Sequence, residues 1–420
     1  MVMVKEASRL TFGPTNTDVV EGINIARMRE ERAARARKEM LRRNIPVALV
    51  TGAENVRYLV GFWWGEFLNQ LSYVLFFAEG DPIVFAHAGC YQQMPDQCPW
   101  IKEWRIGRSW LGGIGGPDAT AEETKKFAQE IKSELAARGL AAEQLAVVDF
   151  DVSAWHALQR EGLNLVEDTE WLLEAAKIKT IDEINCLKMA ASIACVGYDV
   201  AFRTLRAGMT QGQISRIVTN AIGEAGAEYA RGRFLSGPLS FERGVSFVDR
   251  RIEHGDLLYM PTCGTSYMGY ACCLYRQFIV GRKPNGREVG WYNEMRDRID
   301  NVIDAIRPGA TTADAAKHFP PASKWGYKDE AEVLTVELGH GVGLVNPGAR
   351  HAHYNPPVIN RQWSLKHPQV FEAGMVIAVE SLEGQHRVGG VRLEDMMVVT
   401  ETGAEIIDFY PRDSILVAGD

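Results

Sequence analysis

Three things are scarce in this chain, and each absence closes a class of function. No window approaches the ~18 consecutive apolar residues that a membrane-spanning helix needs. The first thirty positions carry Lys5, Glu6, Arg9, Asp18, Glu21 and Arg27 where a signal peptide would be apolar. The expectation is a cytoplasmic protein with no membrane partner. Basic residues are not in excess either: 46 Lys and Arg face 54 Asp and Glu, a net charge of -8. That leaves no electrostatic footprint for a nucleic-acid backbone. The seven cysteines, Cys90, Cys98, Cys186, Cys195, Cys263, Cys272 and Cys273, are odd in number, scattered and never spaced C-x-x-C. They suit neither a disulfide framework nor a zinc knuckle and read as reduced thiols.

What is present is ample apolar material. Hydrophobic residues make up 46% and charged residues 24% of 420 positions, enough for the cores of two domains. Residues 22–44, rich in Arg, Glu and Ala, read as a charged helix with Ile25, Met28, Ala34, Met40 and Leu41 near helical spacing. A strand from Val47 to Thr51 follows, then a run from Val56 that ends near Gly61. Tyr73–Phe77 and Ile83–Ala86 flank Glu79-Gly80-Asp81-Pro82 as a hairpin. A helix over Glu122–Arg138 and a strand over Leu145–Phe150 complete an α/β region.

A different rhythm begins after Trp171, and the domain boundary is expected within 172–178, dividing the chain into 1–175 and 176–420. Residues 182–206 open on Asp182-Glu183 as one long amphipathic helix ending near Gly208. The hexamer Leu205-Arg206-Ala207-Gly208-Met209-Thr210 returns as Ile306-Arg307-Pro308-Gly309-Ala310-Thr311, each copy closing one helix and capping the next with Thr. Two such units separated by strand-rich segments predict a domain of two similar halves around a shared site.

Chemistry-bearing residues gather in three segments of the second half. Gly255–Gly264 runs through Gly269–Arg276 as strand, turn and strand. Glu337-Leu338-Gly339-His340-Gly341-Val342-Gly343-Leu344 sets a His between glycines. Gly374–Glu380 and Gly390–Asp395 embed Glu380 and Glu394 in apolar strands. Asp395 reads as an ion-pair partner of Arg392. Cys272 and Cys273 are neighbours on a strand, so only one can face a site; Cys273 is the candidate, with a small buried hydrophobe as the plainer reading.

These motifs resemble the creatinase, aminopeptidase P and methionine aminopeptidase superfamily, the pita-bread fold. Gly-His-Gly-Val-Gly-Leu, Gly-Met-Val-x-x-x-Glu and Arg-Leu-Glu-Asp carry the resemblance, and "AKIKTIDEINCLKMAA" is similar to the segment that opens the catalytic domain. The implied architecture is a creatinase-type N-terminal domain followed by a pita-bread catalytic domain, in a homodimer acting on a small molecule. Metallopeptidases of this superfamily hold two metal ions with two Asp, one His and two Glu. By the resemblance the His and the two Glu fall on His340, Glu380 and Glu394, whereas the two Asp fall on Pro261 and Cys273. Proline cannot coordinate, so the dinuclear set is broken. Creatinase and ectoine hydrolase also lack the Asp pair and work without metal, which implies no cofactor here. If one ion is bound, His340, Glu380 and Glu394 would hold it, with Cys263 or Cys273 as a fourth ligand.

The resemblance also implies substrate contacts. One guanidinium-binding carboxylate of creatinase corresponds to Glu380, while another falls on Tyr275. Where creatinase carries its catalytic His upstream, Gly237–Asp249 has none and offers Glu242, Arg243 and Asp249. "INIARMREERAARARKEM", "NVRY", "SGP" and "VRLEDMMVVTETG" are closer to the dimethylsulfoniopropionate lyases of the same fold. Their metal-binding Asp positions fall on Pro261, Cys263 and Cys273, and their catalytic Asp falls near Asn346. His351 and His353 follow the His340 loop. Trp63 and Trp64 could wall the pocket by cation–π attraction or serve as ordinary core or dimer contacts. Arg231 and Arg233 could bind a substrate carboxylate.

Two glutamates in one metal-free pocket call for a cation between them. The expected function is therefore a metal-independent hydrolase cleaving a C–N bond in a small zwitterionic or cationic nitrogen compound, with His340, Glu380, Glu394 and Cys273 as the reacting groups. The alternatives are a lyase on a sulfonium or betaine-like acid, an Xaa-Pro-type metallopeptidase, and a degenerate ligand-binding domain.

Overall fold

A computed structural model describes residues 22–62, 72–89, 91–241, 249–332, 338–345 and 355–419. They fall into two compact units, one of residues 25–176 and one of residues 177–419 joined by 22–24. The short leading segment belongs to the second unit because Asn24 donates its backbone N–H to Asp182 (2.7 Å) and Asn185 donates to the Gly22 carbonyl (2.6 Å).

In the first unit, α1 (Ile25–Arg42), α2 (Ala53–Val60), α3 (Pro117–Ala137), α4 (Val152–Arg160) and α5 (Glu170–Lys177) accompany a six-stranded sheet. Its strands are β1 (Val47–Thr51), β2 (Tyr73–Phe77), β3 (Ile83–Ala86), β4 (Glu103–Ile106), β5 (Gln144–Val148) and β6 (Asn164–Glu167), in the order β4-β3-β2-β1-β5-β6. The expected hairpin forms as the antiparallel β2/β3 pair. The run from Val56 is helical: Val56, Tyr58, Leu59 and Val60 are buried, and Gly61 closes the helix at φ 70, where a left-handed residue is needed. Phe127, Ile131 and Leu135 of α3 and Ala154 and Leu158 of α4 pack on Leu49, Leu75, Phe85 and Leu145.

The second unit opens with Thr180, whose hydroxyl accepts the Glu183 N–H while the Glu183 carboxylate accepts the Thr180 N–H. This capping box starts α6 (Ile181–Thr204). α6 is long and apolar enough to cross a membrane by length and composition, and 50% of its most apolar window is buried inside the protein. α7 (Gln211–Glu224) follows, then β7 (Leu235–Ser236), β8 (Leu257–Pro261), β9 (Ser266–Tyr267), β10 (Tyr270–Ala271) and β11 (Tyr275–Val280). Beyond them lie α8 (Gly286–Ala305), α9 (Thr312–Ala316), β12 (Gly339–Gly341), β13 (Asn355–Val358), β14 (Val376–Gln385), β15 (Gly389–Val399), β16 (Ala404–Ile406) and β17 (Leu416–Ala418). The main sheet runs β13-β12-β14-β15-β11-β8-β7.

The repeated hexamer marks a real internal symmetry. Gly208 donates to Ile252 O and Gly309 to Phe371 O; Ile252 donates to Met209 O and Phe371 to Ala310 O. Thr210 and Thr311 each cap the following helix. Downstream, Gly255 donates to Val280 O as Gly374 does to Val399 O, and both glycines sit at positive φ. Counting from that pair, Pro261 stands where Glu380 stands, Tyr275 where Glu394 stands, and Arg276 where Asp395 stands. The ladders agree, with Pro261 paired to Tyr275 and Glu380 to Glu394.

Side-chain alternation then settles which residues can meet. Ile377, Val379, Val391, Leu393 and Met397 join Met295, Ile299 and Val302 of α8 in one core. Their even-numbered neighbours on β14 and β15, Glu380, Arg392 and Glu394 among them, therefore face the other side of the sheet.

Candidate active site

Glu380 and Glu394 lie directly opposite each other on β14 and β15, and both are buried, at 1% and 0% exposure. Opposed residues of an antiparallel pair have their Cβ atoms roughly 5 Å apart, so the two carboxylates share one face of the sheet. His340 enters from β12, paired with Ala378 on β14, and brings Nε2 to 3.7 Å from Glu394 Oε1. Its Nδ1 lies 2.9 Å from the Gly341 carbonyl. A carbonyl only accepts, so Nδ1 carries a proton, and in the neutral ring Nε2 turns a lone pair toward the carboxylate. The flanking glycines have a local cause. A Cβ on Gly341 would sit 2.2 Å from Pro356 O, and one on Gly339 would sit 3.0 Å from Ile359 Cδ1.

The thiols complete the cluster. Cys263 and Cys273 Sγ and a Glu394 oxygen all lie within 4.8 Å of one another and are buried. The Cys263 thiol donates to Glu394 Oε2 at 3.4 Å. Burial pushes the Cys273 thiol well above the usual range, with Cys263, Glu394 and Glu380 adding to the effect. Cys272 points away, its Sγ 3.8 Å from Thr262 O. Tyr275, 4% exposed, pairs with both Glu394 and Pro261, and its ring lies 5.6 Å from that of Tyr259.

The expected pairing of Asp395 with Arg392 does not form, because the two side chains differ in sheet face. Asp395 accepts from Arg412 Nε (2.7 Å) and sits 3.2 Å from Arg276 Nη1, which also donates to the Glu394 carbonyl (2.8 Å). Arg276 pairs in addition with Asp408, which accepts the Met396 N–H (2.9 Å). Burial lifts the Asp395 carboxyl to about 6 against the pull of the two guanidinium groups. This ionic layer fixes the backbone behind Glu394. Arg392 stands on the site face instead. Its Nη2 donates to Phe241 O (3.0 Å) and its guanidinium covers the Tyr259 ring at 5.3 Å. Sequence reasoning gave Arg392 no part in the site, although its spacing of two from Glu394 on a strand was the signal.

Trp63, Trp64, Glu242, Asn346, His351 and His353 lie outside the described residues. Arg231 and Arg233 are half-buried, and the Arg231 N–H donates to Thr265 Oγ1.

Two domains of known type account for this arrangement. Residues 185–401 match metallopeptidase family M24 and residues 32–171 match the creatinase/prolidase N-terminal domain; the chain belongs to that metallopeptidase family. Among individual proteins, it is 25% identical to the dimethylsulfoniopropionate lyase DddP of Roseovarius nubinhibens, covering 98% of this chain and 92% of that one. It is 29% identical to the Xaa-Pro dipeptidase of Pyrococcus furiosus over 54% of this chain and 62% of that one. Among solved structures, the Xaa-Pro dipeptidase from Bacillus anthracis matches with a TM-score of 0.73 at 20% identity, over 92% of this chain and 99% of that one. The dipeptidase PepE from Mycobacterium ulcerans gives 0.73 at 23%, over 95% and 100%. These structures share the fold.

The family name implies metal, and the donor set bears on that directly. A pair of hard divalent ions needs bridging carboxylates. By the resemblance the two Asp positions fall on Pro261, which has no donor atom, and on the thiol Cys273. The described residues do not fit the two-ion centre.

Proposed function

We propose that this chain is a non-peptidase member of its family, a hydrolase that cleaves a C–N bond in a small cationic or zwitterionic nitrogen compound without metal chemistry. The observation that carries the reading is the buried, directly opposed pair Glu380 and Glu394 in a site whose bridging-carboxylate positions are proline and thiol. Two buried carboxylates attract a cationic centre strongly in a low-dielectric site. Arg392 on the same face offers a counter-charge for the carboxylate of a zwitterion.

In this reading the ammonium or amidinium end of the substrate lies between Glu380 and Glu394. His340, held by its Nδ1–H on the Gly341 carbonyl, takes a proton from water at Nε2. Hydroxide adds to carbon, the C–N bond breaks, and the proton passes to the leaving nitrogen.

A second reading, elimination from a sulfonium or betaine-like acid, draws support from the near full-length similarity to the lyase DddP. Burial opposes Cys273 as its base, since a thiol with a raised pKa holds its proton at neutral pH.

A thermal-shift panel separates these readings. Amidine, betaine-like and sulfonium acids should stabilise the protein and neutral dipeptides should not. Glu380→Gln should weaken the cationic ligands tenfold to a hundredfold, since a charge-assisted contact is worth about 1.5–3 kcal/mol. Release of an amine indicates hydrolysis, whereas release of an alkene product indicates elimination. Stabilisation by dipeptides alone, indifferent to Glu380→Gln, would end the cation-site reading.

A further inference from the structure

We infer that Cys263, Cys273 and Glu394 form a site for one thiophilic divalent ion of the zinc class, in place of the two hard ions implied by the family. Three donors of the right type, two sulfurs and a carboxylate oxygen, converge within 4.8 Å, all on buried residues. They come from separate stretches of chain, so the sheet assembles the cluster; no sequence motif does. An ion about 2.3 Å from sulfur and about 2.0 Å from oxygen at tetrahedral angles sets a sulfur-to-oxygen edge of roughly 3.5 Å. The edge from Cys263 Sγ to Glu394 Oε2 is 3.4 Å, and Oε1 is the same carboxylate's other oxygen.

A second observation points the same way. Among the described residues, Glu394 Oε1 is buried without a hydrogen-bond donor. Such an atom carries the full desolvation cost unless a cation reaches it. His340 Nε2, 3.7 Å from that oxygen, borders the three-donor cluster without joining it, which leaves the fourth position to a water or an added ligand.

Thiolate ligands select zinc, cadmium and cobalt over magnesium and manganese, which prefer oxygen. Replacing hard carboxylates by thiols therefore changes both the number of ions and their class. The ion site stands on the cluster alone. One consequence rests on the proposed function: ion and substrate cation draw on the same carboxylate, so each excludes the other and zinc is an inhibitor.

Cobalt(II) titration of the metal-stripped full-length protein tests this without reference to activity. One equivalent should produce a thiolate-to-cobalt charge-transfer band, displaced by zinc and untouched by excess magnesium or manganese. Cys263→Ser and Cys273→Ser should each weaken binding by at least ~100-fold, the upper end of what loss of a supporting group costs a metal site. Cys272→Ser, at a thiol directed to Thr262 O and absent from the cluster, should leave the band intact.

Absence of the band in the wild-type protein, its survival in both Cys263→Ser and Cys273→Ser, or two equivalents bound would overturn the inference. The wild-type stoichiometry decides even if a variant fails to fold. The two proposals also fail separately. A cobalt band that amidine and betaine ligands cannot displace removes the substrate reading and leaves the ion site. Glu380-dependent binding of those ligands with no cobalt band removes the ion site and leaves the substrate reading.

Discussion

The two halves of the second unit are built alike and equipped differently. Each begins with the same Gly-containing turn and a capping Thr, and each carries the same hydrogen bond from a positive-φ glycine to the end of a strand pair. At the equivalent central positions the later half places Glu380 and Glu394, while the earlier half places Pro261 and Tyr275. One position further along, Arg276 and Asp395 are equivalents that pair with each other. A duplicated scaffold thus keeps its geometry through backbone hydrogen bonds while its side chains diverge. The opposed glutamates stand on one half, and the thiols on the other.

The largest test of that comparison is the ionic layer. Arg276→Met leaves Asp395 and Asp408 buried with one guanidinium fewer, and removing one partner of a buried pair costs about 3–5 kcal/mol. The urea midpoint should fall accordingly, and a loss below ~1 kcal/mol would show that the layer does not hold the halves in register.

Ligand binding gives a smaller effect with a clear asymmetry. Glu394→Gln should weaken a cationic ligand by tenfold to a hundredfold, whereas Tyr275→Phe at the equivalent position removes at most one neutral hydrogen bond, about 0.5–1.5 kcal/mol. Calorimetric titration giving equal losses would mean that the halves contribute alike. The smallest effect is on the shared frame. Thr210→Ala and Thr311→Ala each delete an N-cap worth about 1 kcal/mol, and unequal losses in thermal unfolding would break the structural equivalence.

Much of this was legible in the sequence. The hexamer repeat announced two similar halves, and the two turns do pair alike. The expected fold class, an N-terminal creatinase-type domain before a pita-bread domain, is the one observed. The helix at Ala53–Val60 was obscured because its short apolar run between turn signals has no decisive period. Asp395 was assigned the wrong partner because proximity in sequence suggested Arg392, three residues away, although on a strand that spacing reverses the face.

By itself, the sequence determined which donors exist: one His between glycines, two Glu in apolar strands, proline and thiols where the family implies Asp. If the resemblance places the Asp positions correctly, those identities do not fit the two-ion centre. Only the tertiary structure decided which of the donors meet. Cys263 and Glu394, 131 positions apart, touch because β8, β11, β14 and β15 are ordered by backbone pairing. The turn from Thr262 back to Leu274, held by the bonds from Thr262 N–H to Leu274 O and from Gly264 N–H to Cys272 O, set Cys273 toward them and Cys272 away. Register is a property of paired strands, fixed by long-range hydrogen bonds and core packing, and a single strand's sequence does not contain it.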